Sequence, residues 1–236
     1  MVGRAAALLI LLAALFAWFE AAPHMDALSQ WKSVALISLG LMPAMFGLVW
    51  LALPISTHVA ALAVAVCVLG VGAVVLSFLD APVPANFAKF GAMTAAGWLF
   101  LKAFEALSWV VAVAVAIPWV DAYSVWRGPT RTITEHHAAV FTKVSVAFVV
   151  PGGNAARLGL TDVMFFAVFL GASVRFHLRT PLTWLLMVAG LGVTITATTY
   201  WSTGGLPALP AISIGFLIAN GDLIWRRVGK PALGRA

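Results

Sequence analysis

"LGLTDVMFFAVFLGASVRFHL", residues 158 to 178, reads as a membrane helix at every position but one. The exception is Asp162. A carboxylate inside hydrocarbon costs about 2.5 to 3.5 kcal/mol even on a lenient insertion scale, so it needs a partner or a use. The rest of the chain fits the membrane reading: 63% of its 236 residues are apolar, 9% are charged, and the mean hydropathy is +1.03. Soluble domains carry about a quarter charged residues. The 14 Lys and Arg give a formal net charge of +6, but they punctuate the apolar runs instead of clustering. They read as helix-end anchors and give no footing for nucleic acid. A lone Cys67 excludes an intramolecular disulfide.

With about 20 apolar residues needed per crossing, cutting the chain at its charges and prolines predicts an all-α polytopic membrane protein of about eight transmembrane helices. The candidate stretches are 4–21, 33–53, 58–79, 87–103, 105–126, 158–178, 181–201 and 206–225. The fourth and fifth are divided only by "FLKAFEALSW", where Lys102 and Glu105 offer the turn. Arg4, the apolar run after it and "EAAP" also match the layout of a signal peptide. Functionally, the chain divides into N-terminal helices over 1–103 and a second region over 104–236 that holds the long loop 127–157. Within that loop "TKVSVAFVVP", residues 142 to 151, is rich in Val and Phe and ends at "PGGN". This predicts one short strand and a turn, serving either as a surface segment or as an edge for an extended peptide.

Most ionisable residues fall in connections, but Asp121 and Asp162 do not. Asp121 lies six residues before Arg127, and Asp162 lies five residues after Arg157. At 1.5 Å per residue, both sit about 8 to 9 Å inside the helix ends that flank the same loop. Two helices joined by one loop run antiparallel, so the carboxyls can face each other. Carboxyls that close do not both ionise easily, and a shared proton lets one act as base toward a water while the other acts as acid. The same pair also suits a proton- or cation-coupled transporter, or a polar contact that merely joins two helices.

The last stretch begins "GGLPALPAISIGFL" on the side of that loop. Pro207 and Pro210 have no amide hydrogens, and Gly204 and Gly205 permit open backbone. The entry of this span is therefore expected to leave backbone groups unpaired near the two aspartates, unless it is a plain helix start with Pro in its first turn.

In this order, an Asp span, a loop, a G-x-x-D span and a P-A-L span, the chain resembles the presenilin and signal peptide peptidase family of intramembrane aspartyl proteases over about residues 98 to 225. "WVVAVAVAIPWVDAY" is similar to the family's sixth span, "GLTDVMFFAVFLG" to the seventh and "LPALPAISIGF" to the ninth of presenilins. The resemblance implies a presenilin-like arrangement of the last five helices and metal-free hydrolysis of transmembrane helical substrates within the lipid bilayer. It makes Asp121 and Asp162 the catalytic pair and requires no cofactor. Gly159, Thr161, Pro207, Ala208 and Leu209, with Val146 and Phe148 of the strand, then shape the substrate site. The chain departs from the family at Val120, where a Tyr is usual, and at Thr161, where a Gly is usual; it is also one span short.

Three rivals stand beside this expectation. A prepilin-peptidase-like enzyme usually carries a Lys where this chain has Met164, a transporter would use the same two aspartates, and a scaffold would only bind helices. His136 and His137 suggest a metal site only weakly, with no third ligand nearby. Thr194, Thr196, Thr198 and Thr199 either line a water path or bond their own helix carbonyls. The basic residues divide between both sides of the membrane and do not orient the chain; the presenilin-like P-A-L stretch favours a cytosolic long loop.

Overall fold

The computed structural model describes residues 2–127, 138–201 and 206–228. Its helices are α1 (Val2–Ala21), α2 (Gln30–Leu36), α3 (Met42–Ala52), α4 (Val59–Phe78), α5 (Pro82–Leu101), α6 (Leu107–Arg127), the short α7 (Ala138–Lys143), α8 (Leu160–Arg175), α9 (Thr180–Tyr200) and α10 (Leu209–Val228). A wide π turn over Ile37–Leu41 joins α2 to α3. It precedes Pro43, which has no amide to donate to the preceding turn. Between α7 and α8 lies a hairpin of β1 (Ser145–Val149) and β2 (Ala155–Gly159).

Long helices occupy each of the eight apolar stretches. Among the described residues, five runs are long and apolar enough to cross a membrane: Gly3–His24, Gln30–Thr57, Val59–Phe78, Leu107–Ser124 and Thr180–Tyr200. The chain is thus an all-α membrane protein with a small two-stranded sheet. Its outer helices turn apolar side chains outward, as lipid contact requires. α4 leaves Val64, Val68, Val71, Val75 and Phe78 exposed, and α1 does the same with Leu9, Ile10 and Phe16.

The other long helices, α5, α8 and α10, lie deeper. α8 is the innermost, and its residues from Phe165 to Ser173 are all buried. It packs against α5, α9, α10 and α6. Helices from both sides of residue 103 therefore share one core, in which Phe46 meets Phe166 at 4.1 Å between ring centroids and Phe169 stacks on Phe216 at 5.0 Å. An interior helix need not be as apolar as one facing lipid, because its polar groups find protein partners.

Lipid tails are as apolar as leucine, so helix association here depends on close packing and internal hydrogen bonds. Glycines make that packing possible. A Cβ at Gly97 of α5 would stand 2.4 Å from the Met164 carbonyl oxygen of α8, and one at Gly215 of α10 would stand 2.8 Å from the Leu186 backbone of α9.

The hairpin corrects the expectation of a single strand. β1 lies where the Val- and Phe-rich run predicts it, but residues 155–159 pair with it antiparallel, Ala147 opposite Arg157 and Phe148 opposite Ala156. The turn uses Gly152 at φ 86° and Gly153 at φ 78°, left-handed conformations that glycine adopts without strain. Because residues 155–159 are extended, α8 starts at Leu160 and not at 158. Asp162 accordingly lies in the first turn of its helix, about 3 Å past its start and not 8 to 9 Å inside it.

Gly97→Ala is expected to destabilise the protein by about 1 to 3 kcal/mol, because a backbone carbonyl must move to admit the methyl group. Gly70, on α4, has nothing within 4 Å of such a methyl. Gly70→Ala should therefore be neutral or slightly stabilising in the same reversible unfolding measurement in mixed micelles.

Candidate active site

Asp121 is carried by α6, three residues beyond Pro118, which interrupts the helix's hydrogen bonding and leaves the Ala114 carbonyl without its usual donor. The carboxylate is half-buried. Its Oδ2 accepts the backbone N–H of Leu209 at 3.1 Å, and the Ala208 N–H faces the same carboxylate. These amides belong to the start of α10, where a helix has donors with no partners of its own. Asp121 therefore caps a helix other than its own, and the positive end of that helix's dipole favours the negative carboxylate. The P-A-L stretch is thus in direct contact with the first aspartate. Pro207 is half-buried beside it, and Ala208 and Leu209 are buried.

Asp162 is 8% exposed. It occupies the third position of α8, and its Oδ2 reaches back to accept the Gly159 N–H at 3.1 Å. Gly159 has a steric reason to lack a side chain, since a Cβ there would lie 3.0 Å from that same oxygen. Asp121 and Asp162 stand on helices that pack against each other, α6 against α8. α6, α8 and α10 pack on one another around them. The arrangement offers two carboxyl groups, each steadied through one oxygen by backbone amides.

Other expected site residues are placed differently. Thr161 is exposed beside Asp162 and, among the described residues, makes no hydrogen bond to it. Tyr123, at 66% exposure, points outward, as does Val120. Val146 and Phe148 are fully buried in the core. They belong to β1, which lies where the Val- and Phe-rich run predicts a strand, and their side chains anchor the hairpin against the helices. Thr194, Thr196, Thr198 and Thr199 each donate to the carbonyl four residues earlier, the self-bonded alternative to a water path. Gly204, Gly205, His136 and His137 lie outside the described residues.

The backbone edges matter more than those side chains. In an antiparallel pair, alternate residues turn both backbone groups toward the partner strand and the others turn them away. On β1 the residues turned away are Ser145, Ala147 and Val149, whose carbonyls bond to side chains of other helices. Their partners Gly159, Arg157 and Ala155 must then turn their groups to the opposite edge. The Gly159 amide goes to Asp162, whereas no described group takes the amides and carbonyls of Ala155 and Arg157. Both residues are exposed. Among the described residues, an open strand edge therefore runs to the second aspartate. Sequence reasoning missed β2, because "AARLG" lacks the β-branched and aromatic residues that mark strands.

The chain matches no family model, no curated protein and no solved structure.

Asp121→Ala leaves the Ala208 and Leu209 amides without their acceptor. This is expected to cost about 1 kcal/mol, the usual value of a lost helix cap. It should also speed hydrogen exchange at the Leu209 amide, whereas Asp121→Asn, which retains an acceptor oxygen, should stay close to the parent protein.

Proposed function

We propose that the chain is an intramembrane aspartyl protease that crosses the bilayer eight times and hydrolyses peptide bonds of transmembrane helices with Asp121 and Asp162. The observation that carries this reading is the meeting of three elements at one point: a carboxylate held by the Ala208 and Leu209 amides, a second held by the Gly159 amide, and an open strand edge leading to the second. In the eight-span reading, α5, α8 and α10 cross as interior helices, more polar or shorter than those facing lipid. The likeness of "GLTD" and "LPALP" to presenilins supports the assignment independently of the geometry.

A helical peptide bond is shielded by its own turn, so a substrate must unwind before it can be cut. Unwinding releases amides and carbonyls that hydrocarbon cannot satisfy. The outward groups of Ala155 and Arg157 suit that need: they pair with an extended segment and bring it along β2 toward Asp162. One carboxylate takes a proton from water as the water attacks the carbonyl carbon; the other gives its proton to the carbonyl oxygen. The tetrahedral intermediate then collapses: the first carboxyl gives its proton to the nitrogen as the C–N bond breaks, and the second takes a proton back from a hydroxyl as the C=O bond re-forms, so the pair ends with one proton as it began. The chemistry uses no cofactor.

A transporter would use the same aspartates, and a scaffold would need them only as helix caps. Purified protein in bicelles with a labelled transmembrane peptide separates these possibilities. Cleavage is expected, with Asp121→Asn and Asp162→Asn each abolishing it while remaining folded and inserted. Activity should fall on both sides of a pH optimum, at low pH because both carboxyls are protonated and at high pH because neither is. Thr161→Gly should retain or raise the rate. Cleavage that persists in both Asn variants, or that a chelator alone abolishes, contradicts the mechanism; Asp-dependent ion flux without cleavage of any peptide assigns the chain to transport.

A further inference from the structure

The hairpin has two edges, and among the described residues only that of β2 is open. On β1, each of the three outward carbonyls is taken by a side chain from α5 or α1. Lys89 Nζ donates to the Ser145 oxygen at 2.8 Å and to the Thr142 oxygen at 3.3 Å. Trp18 Nε1 donates to the Val149 oxygen at 3.1 Å. Between them Asn86 makes both possible bonds to Ala147: its Nδ2 donates to the carbonyl at 3.0 Å, and its Oδ1 accepts the amide at 2.8 Å. A neighbouring strand would supply the same donor and acceptor to a residue facing it.

Asn86 is only 5% exposed and stands in an otherwise apolar part of α5. A buried amide side chain is costly unless its ends are bonded, and here the backbone of β1 bonds both. Asn86 and Lys89 lie three residues apart, on one face of the helix. That helix also packs against α8, which carries Asp162. The clamp therefore fixes the hairpin to the same rigid element as the second aspartate.

We infer that Asn86 stands in for a third strand, closing the β1 edge so that an extended peptide can add only to β2, the strand that ends at Asp162. The inference rests on the peptide reading of the site given above. Asn86 is thus a positioning residue: it touches neither peptide nor water, and acts by leaving a single acceptor edge. It also keeps that edge formed before any peptide arrives, which lowers the ordering cost of binding.

The test uses full-length protein in bicelles carrying Asp121→Asn, so that peptide is held without being cut, and a transmembrane peptide with a photoreactive side chain. Asn86→Leu removes both bonds to Ala147, and Asn86→Asp keeps the acceptor but loses the donor. With Asn86 intact, the label should fall on 155–159 and spare 145–149. In Asn86→Leu it should appear on 145–149 as well, and exchange of the Ala147 amide should quicken about tenfold, the effect of losing one ordinary hydrogen bond. Asn86→Asp, whose oxygen still accepts the Ala147 amide, should leave that exchange near the parent rate but put an intermediate share of label on 145–149, and its labelling decides the matter if the Leu variant does not fold. Label confined to β2 in both variants, or unchanged Ala147 exchange in Asn86→Leu, overturns the role of Asn86 while leaving the protease reading intact. Absence of label on either strand with Asn86 intact overturns the peptide reading itself, and this inference with it.

Discussion

The hydrogen bond from the Leu209 amide to the Asp121 carboxylate joins two needs that a bilayer makes acute. A carboxylate cannot rest in hydrocarbon without donors, and the first amides of a helix cannot rest there without acceptors. Each supplies what the other lacks, so α6 and the start of α10 are tied at one depth. α8 packs against both, and its own first turn is closed by Asp162 on Gly159. The positions of both carboxylates thus follow from the satisfaction of backbone amides, and the catalytic roles proposed for them use the oxygens left over.

The two ends of the bundle contrast. At the end away from the site, polar groups are matched and closed. Arg179 and Asp222 pair through two bonds of 2.7 Å, and Asn220 joins the Arg179 amide to the Thr183 hydroxyl. Arg175 donates to the Leu101 carbonyl, and Arg227 to those of Phe176 and His177, so helix C-termini there are capped by cations. At the site end, Asn86, Lys89 and Trp18 close one edge of the hairpin, while the outward backbone of Ala155 and Arg157 has no partner among the described residues. An open edge is a liability that membrane proteins avoid unless it has a use. Its location beside Asp162 is what gives the peptide reading its physical content.

Much of this was legible in the sequence. Charges and prolines marked the helix ends closely, as with Lys102 and Glu105 between α5 and α6, and the cost of a carboxylate in an apolar run singled out Asp121 and Asp162. The last helix begins at Leu209 with Pro210 in its first turn, the plain helix start that the sequence also allows, and its first amide has its acceptor in Asp121. Other features were hidden for identifiable reasons. β2 is extended because the Gly152–Gly153 turn folds it back on β1, a tertiary cause that the residues "AARLG" do not announce. The same extension moved the start of α8 and with it the depth of Asp162. Val146 and Phe148 alternate as a strand should, but alternation alone does not tell which face meets the core. Asn86 left a faint signal, an amide three residues from Lys89 in an apolar helix, whose meaning depends on the strand brought beside it.

The proton sharing proposed for Asp121 and Asp162 can be tested without a substrate. Infrared difference spectroscopy of protein labelled with carboxyl-¹³C aspartate, compared across both Asn variants, follows the protonation of each side chain as pH is changed. If the two act as one unit, they should titrate in two separated steps with one proton held between them over the intervening range, and removing either should collapse the remaining partner to a single, displaced step. Two independent titrations, each unmoved by loss of the other aspartate, would mean that the carboxylates serve only as separate helix caps.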